Sequence, residues 1–197
     1  MPERPPSSSL NTVEGLSGPE ILKRARKDRR QTRELLRSMP PAVLAAACQD
    51  LRPEARNEFL MLVESPEQVI PLLPEAELCI TVRASGMSEA AWLLEMATAA
   101  QRQACIDLDV WEQGALTHAR AVEWIDALIE AGRDTLVRGI VELDPEFWIL
   151  GLQRMADLAV IGREDERPEG FFTEDGVVYF RGQSDEDFVR IKEIMQT

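Results

Sequence analysis

Three acidic strings, one histidine and three cysteines are the residues whose type and spacing could do chemistry. Asp107, Asp109 and Glu112 form a D-x-D-x-x-E string, the kind of carboxylate set that hard cations take, but it lacks the ligand spacing and central glycine of an EF-hand loop. Glu164-Asp165-Glu166 and Asp185-Glu186-Asp187 are denser in charge. The first reads as part of a loop. The second falls on the first turn of a helix, where the dipole favours negative charge without any ligand. Weak divalent-cation binding is the chemistry these strings offer, and a helix terminus with its solvent face is the plainer reading of each.

His118 is the only histidine, which removes most histidine-ligated zinc sites. A nucleophilic dyad with Cys105 would need the fold to join two distant positions and activate the thiol. Cys48, Cys79 and Cys105 are widely spaced, odd in number and set within apolar helical patterns, so they are expected to be buried reduced thiols. The sequence holds no glycine-rich phosphate loop, G-x-S-x-G elbow or C-x-x-C pair. No residue is therefore assigned a catalytic, cofactor-binding or metal-binding role, no cofactor is expected, and the chain is not expected to be an enzyme. Trp92, Trp111, Trp124 and Trp148 are assigned to packing, with a half-exposed one as an anchor for a partner.

The elements that must position these residues are short helices. The organising stretch is 117–161. Thr117 caps a helix that carries Ala121, Val122, Ile125, Leu128 and Ile129 on one face and Arg120, Glu123, Asp126 and Glu130 on the other. Gly132 ends it, and Asp134 is expected to cap a second helix with Leu136, Val137, Ile140 and Val141 as its apolar face. Asp144-Pro145 opens a third, with Trp148, Leu152, Met155 and Leu158 on one stripe and Gly162 as its stop. Upstream, Ser17-Gly18-Pro19-Glu20, Ser65-Pro66-Glu67-Gln68 and Thr98-Ala99-Ala100-Gln101 are capping boxes. Further starts fall at Pro41, Pro53, Pro74 and Ser88. Helices this short are marginal alone in water, so their stability must come from packing on their neighbours.

The chain has 197 residues and a net charge of −13, unevenly spread. Residues 1–40 hold nine Lys or Arg against five Asp or Glu, whereas the remainder holds 13 against 30. An acidic body disfavours polyanions, and no aromatic residue in the basic N-terminal helix is placed to stack on bases, so no nucleic acid is expected. That basic helix is expected either to lie solvated against the body or to dock on an acidic surface of this or another chain. No apolar run is long enough to suggest a membrane segment, and the Pro/Ser-rich start lacks a secretory signal pattern, which makes the expected location cytoplasmic.

After Gly162 the texture changes. Phe171-Phe172, Asp175-Gly176 and Val177–Phe180 read as a two-residue hairpin, and Ser184 caps a final helix with Phe188, Ile191, Ile194 and Met195. The expected architecture is all-α: a right- or left-handed superhelix of short helical hairpins, with one small C-terminal β-hairpin. Its expected divisions are a disordered leader over 1–16, a helical superhelical domain over 17–162 with a basic N-terminal helix over 17–37, and a connection, hairpin and incomplete helix over 163–197.

The run Asp107-Leu108-Asp109-Val110-Trp111, followed by Trp124, Leu128, Gly132 and Leu143-Asp144-Pro145-Glu146, resembles an uncharacterised bacterial helical family of unknown function, over about residues 35–180. The Pro-Glu openings at Pro53-Glu54, Pro66-Glu67 and Pro74-Glu75 are also similar in layout to the N-terminal cytoplasmic superhelical domain of MgtE-type magnesium transporters. In those transporters the domain closes an acidic interface around divalent cations, so the resemblance implies a cation-responsive regulatory domain. The residues themselves favour a non-enzymatic helical scaffold or protein-interaction module, part of a larger polypeptide or assembly. Its expected partners are another protein, further domains of the same chain or a second copy.

Overall fold

A computed structural model of the chain describes residues 16–160, 171–172 and 178–197. The chain divides into two compact units, Met1–Ser85 and Gly86–Thr197. In the first, helices α1 (Gly18–Ala25), α2 (Arg29–Arg37), α3 (Pro41–Gln49), α4 (Pro53–Leu60) and α5 (Glu75–Ser85) follow in order, with two 3-10 turns, Pro66–Gln68 and Ile70–Leu72, before α5. Its core holds Ile21, Leu36, Phe59, Leu60, Ile70, Leu78 and Val82, all buried.

The second unit contains α6 (Met87–Ala90), α7 (Trp92–Met96), α8 (Ala99–Asp109), β1 (Trp111–Glu112), β2 (Ala115–Leu116) and α9 (His118–Glu130). It continues with α10 (Arg133–Glu142), α11 (Pro145–Gln153), β3 (Ala156–Val160), β4 (Phe171–Phe172), β5 (Val178–Gly182) and α12 (Asp185–Met195). Helix α9 is its hub and packs against α6, α7, α8, α10, α11 and α12. Trp124 and Ile125 of α9 are buried, as are Ala121 and Leu128. The expected helical fold with a C-terminal hairpin is therefore what forms.

Local chemistry explains most of the starts. Glu20 accepts from the Ser17 N–H at 3.1 Å and from the Ser17 hydroxyl at 2.9 Å, closing the first cap from the carboxylate side. Those two bonds hold its carboxyl below the usual carboxylate range. Thr98 and Gln101 exchange both bonds of a capping box at 3.1 and 2.9 Å. Asp144 accepts from the Glu146 N–H at 2.8 Å with Pro145 behind it, and Ser184 accepts from the Asp187 N–H at 3.1 Å. Gly132, at φ 101°, ends α9 and at the same time precedes α10.

Five expectations give way. The basic segment 17–37 is two helices, because Asp28 accepts from the Gln31 N–H at 2.9 Å and restarts the chain after Ala25. Ser65-Pro66 opens only a 3-10 turn, with no side-chain cap bond. Ser88 lies inside α6, whose cap is Gly86, and the segment breaks into α6 and α7 at Ala91. Asp134 lies within the first turn of α10 rather than before it, since Gly132 takes the cap position. The third helix of the organising stretch stops at Gln153, and Leu158 sits on β3, half-exposed, instead of on its stripe. Backbone pairing overrides helical periodicity there: β3 runs antiparallel to β5 from Ala156↔Gly182 to Val160↔Val178.

The C-terminal hairpin is thus part of a three-stranded sheet in the order β3-β5-β4, with Phe171 opposite Phe180 and Phe172 opposite Tyr179. Asp175-Gly176 and the Glu164-Asp165-Glu166 string lie outside the described residues, as do the Pro/Ser-rich start and Gly162. A second hairpin, β1-β2, turns on Gln113 at φ 53° and Gly114 at φ 79°. Two successive positive φ angles are what a two-residue hairpin turn demands, and Gln-Gly is a weaker signal for it than Asn-Gly or Asp-Gly.

Candidate functional site

A single pattern positions the ionisable side chains. Five helices start after a buried apolar residue two positions ahead of the first helical one: Met39, Leu51, Leu73, Ala97 and Leu143. Each then buries its fourth helical residue, the other position of a hydrophobic staple. In α3, α5 and α11 that residue is Leu44, Leu78 or Trp148. In α4 and α8 it is an arginine.

Arg56 of α4 is 6% exposed, and its guanidinium reaches back to the turn before its own helix. Nε donates to the Leu51 carbonyl at 3.2 Å and Nη2 to the Gln49 carbonyl at 3.3 Å, while Nη1 pairs with Glu77 of α5. Arg102 of α8, 3% exposed, repeats the device. Its Nη1 donates to the Leu94 carbonyl at 3.2 Å and to the Ala97 carbonyl, and its Nη2 pairs with Glu142 of α10. Only Nε of Arg102 finds no partner among the described residues. A buried cation is expensive unless charge and hydrogen bonds both answer it, and here the carbonyls at a helix end and a later carboxylate do so together. Sequence reasoning missed both residues. Its available signal was a basic residue in the fourth helical position, where sibling helices carry leucine or tryptophan.

The two acidic strings among the described residues are partly spent on local structure. Asp107 accepts from Gln103 Nε2 at 2.7 Å, and Asp109 accepts from Trp124 Nε1 at 2.8 Å, while Glu112 stands exposed on β1. Asp185, Glu186 and Asp187 form the first turn of α12. Arg190 answers them, lying 3.2 Å from Asp187 and 3.7 Å from Glu186, and clamps Asp126 of α9 with bonds of 2.6 and 2.9 Å. The Asp126 bond raises the Arg190 pKa further above its ordinary value. Arg133 donates to the Gln196 and Thr197 carbonyls at 3.1 and 3.3 Å, so both ends of α12 are tied to the body. Among the described residues no group of three or more His, Cys, Asp or Glu could hold a metal ion.

Cys48, Cys79 and Cys105 are buried and in no disulfide, as their apolar settings imply. Burial pushes the Cys48 thiol up to about 12, away from the range in which a thiolate attacks at neutral pH. His118 is the first residue of α9, and its Nδ1 is buried with no hydrogen-bond partner among the described residues. Trp124 and Trp148 are core residues, the latter donating to the Gly139 carbonyl at 3.1 Å; Trp92 and Trp111 are half-buried.

Among the described residues, two surfaces stand out as little used by internal bonding. On α10, Leu136 is buried together with Thr135 and Gly139, whereas Val137 and Ile140 are 38% exposed and Val141 is 78% exposed. This corrects the expected inner face of that helix. Leu136, Val137, Ile140 and Val141 share one broad face, and the small Gly139 beside it, 3.3 Å from Leu128 at its would-be Cβ, lets α10 turn the Leu136 edge of that face toward α9 and leave the other edge outside. On α1, α2 and the turn between them, Lys23, Arg24, Lys27 and Arg29 are exposed, and their side chains make no ion pair or hydrogen bond among the described residues.

The fold and these surfaces define a helical protein whose ionisable groups serve mainly as joints. The chain belongs to a family of unknown function, DUF6178, whose family model matches residues 33–197. No curated protein and no solved structure matches it, so the likeness in layout to the magnesium-transporter domain has no match behind it. Among the described residues no helix is long and apolar enough to cross a membrane.

Proposed function

We propose that this chain is a non-enzymatic helical module that binds another protein, as one piece of a larger polypeptide or assembly. The observation that carries this reading is the outward face of α10. Val137, Ile140 and Val141 stand at i, i+3 and i+4 and so form one contiguous strip, while the same helix turns a threonine and a glycine inward. Single exposed apolar residues are ordinary, but a strip of three on one helix is the form in which a helix-in-groove partner is met. The buried arginines and their carboxylates support the reading from the other side, since they brace helices against one another.

The test is to isolate the tagged chain from its native cells beside a Val137→Glu/Val141→Glu variant. Both substitutions are at exposed positions, so the thermal midpoint should change little. One protein is expected to accompany the wild type in stoichiometric amount and to be lost, by at least about tenfold, from the variant. Equal recovery with both, or no stoichiometric companion at all, would retire the proposal.

A further inference from the structure

The second unspent surface differs in kind from the first. Helices α1 and α2 and the turn between them present Lys23, Arg24, Lys27 and Arg29 to solvent with no side-chain hydrogen bond or ion pair among the described residues, Lys23 and Arg24 feeling only the Glu20 carboxylate, in a chain whose other arginines are largely engaged. One shallow cavity of about 310 Å³ is lined by Arg24, Lys27 and Gln31 among others, and a second of about 450 Å³ by Arg29, Arg30, Arg33, Glu34 and Arg37. The family match begins at Arg33, within α2, so these four cations lie ahead of the matched span.

We propose that the α1–α2 hairpin is a docking surface for a second copy of this chain, which it meets on the acidic surface of the 86–197 unit. Charge complementarity is the argument. Residues 1–40 carry nine Lys or Arg against five Asp or Glu, while residues 86–197 carry 10 against 23. Asp107, Glu112, Asp134, Asp185 and Glu186 of that unit are exposed. Every molecule therefore bears both halves of the contact, at equal concentration. Of the arginines lining these cavities, Arg24 and Arg29 have side chains with no hydrogen bond or ion pair among the described residues, and a planar guanidinium can grip a carboxylate through two parallel bonds.

Nucleic acid fits less well. An extended phosphate chain would overrun two helices of eight and nine residues and meet the acidic remainder, and α1 and α2 contain no aromatic residue to stack on a base. Two copies of net charge −13 repel at long range, so the contact needs enough salt to screen that repulsion but not the touching charges. Around 0.1 M, where the Debye length is about 10 Å, both conditions hold. The contact joins unlike surfaces, so it can repeat from copy to copy or be made twice in a closed symmetric pair. This inference rests on the reading of the chain as a protein-binding module but uses a different face from α10.

Light scattering on the whole chain across a concentration series tests it. At about 0.1 M salt the mean mass is expected to rise at least about twofold with concentration, and at about 0.5 M to return to that of one chain. The variant Lys23→Glu/Arg24→Glu/Lys27→Glu/Arg29→Glu should stay at the mass of one chain in both salts, and if it folds poorly, the same four positions changed to Gln should behave alike. Val137→Glu/Val141→Glu should associate as the wild type does, which separates failure here from failure at α10. A single-chain mass at both salts overturns the proposal, and so does association that survives high salt or the hairpin variant. Saturable binding of a duplex oligonucleotide that disperses the assembly and is lost in the hairpin variant would also overturn it, in favour of nucleic acid.

Discussion

Arg102 and Glu142 are not equivalent halves of their ion pair. Arg102 has a side chain only 3% exposed, whereas Glu142 keeps 29% of its side chain in contact with water. Removing the carboxylate strands a buried cation that cannot be deprotonated, and breaking a buried pair in this way costs about 3–5 kcal/mol. Removing the cation leaves a carboxylate able to turn to solvent and two helix-end carbonyls without a donor, a cost nearer about 1–3 kcal/mol. Glu142→Gln is therefore expected to destabilise the 86–197 unit more than Arg102→Met does. Urea unfolding followed by tryptophan fluorescence measures both, and a larger loss for Arg102→Met would mean that the carbonyl bonds outweigh the charge balance. The same ordering is expected for Arg56 and Glu77 but with a smaller gap, since Glu77 is 36% exposed at its side chain.

At the level of elements, α1 is held by proximity more than by area. A Cβ added at Gly18 would lie 2.1 Å from the Ala47 carbonyl oxygen and 2.7 Å from Leu51 Cγ. The first of these is backbone of α3 and cannot swing aside. Alanine in place of glycine gains at most about 1 kcal/mol of helix propensity, and forcing apart a packed contact costs about 1–3 kcal/mol, so the clash wins. Gly18→Ala should lower the thermal midpoint and speed tryptic cleavage at Lys23, Arg24 and Arg26 as α1 lifts from α3. Unchanged cleavage would show that α1 can shift along α3 without loss.

Elements also show what the sequence discloses and what it withholds. Thr98, Asp144 and Ser184 were legible as caps because each accepts from an amide two or three residues away, and Ser17 because Glu20, three residues on, answers it. Strand β3 was not, because Met155 serves the helical stripe while the residues after it answer to β5, with partners from Val178 to Gly182. The outward turn of α10 was hidden for a related reason: Val137, Ile140 and Val141 are as apolar as a core face, and only the approach of α9 to Gly139 decides between them. The Arg56 and Arg102 anchors need partners 21 and 40 residues away, a distance that local pattern does not span.

On the scale of the whole molecule, each of the two units carries its own set of joints. The 1–85 unit has the Arg56–Glu77 pair and a core around Phe59, Leu60 and Leu78; the 86–197 unit has Arg102–Glu142, Arg190–Asp126 and a core around Trp124, Phe147 and Phe180. The family match begins within α2 and runs through both. A unit with a complete core and satisfied buried charges should fold by itself, although one of about 85 residues buries a smaller share of its surface than a larger one and is correspondingly less stable. Residues 1–85 and 86–197 produced separately are each expected to be helical by circular dichroism and to melt cooperatively, the shorter piece at the lower temperature. A piece that is helical but melts without cooperativity would show that its core packs uniquely only in the intact chain. The two pieces would then have to be treated as one folding unit.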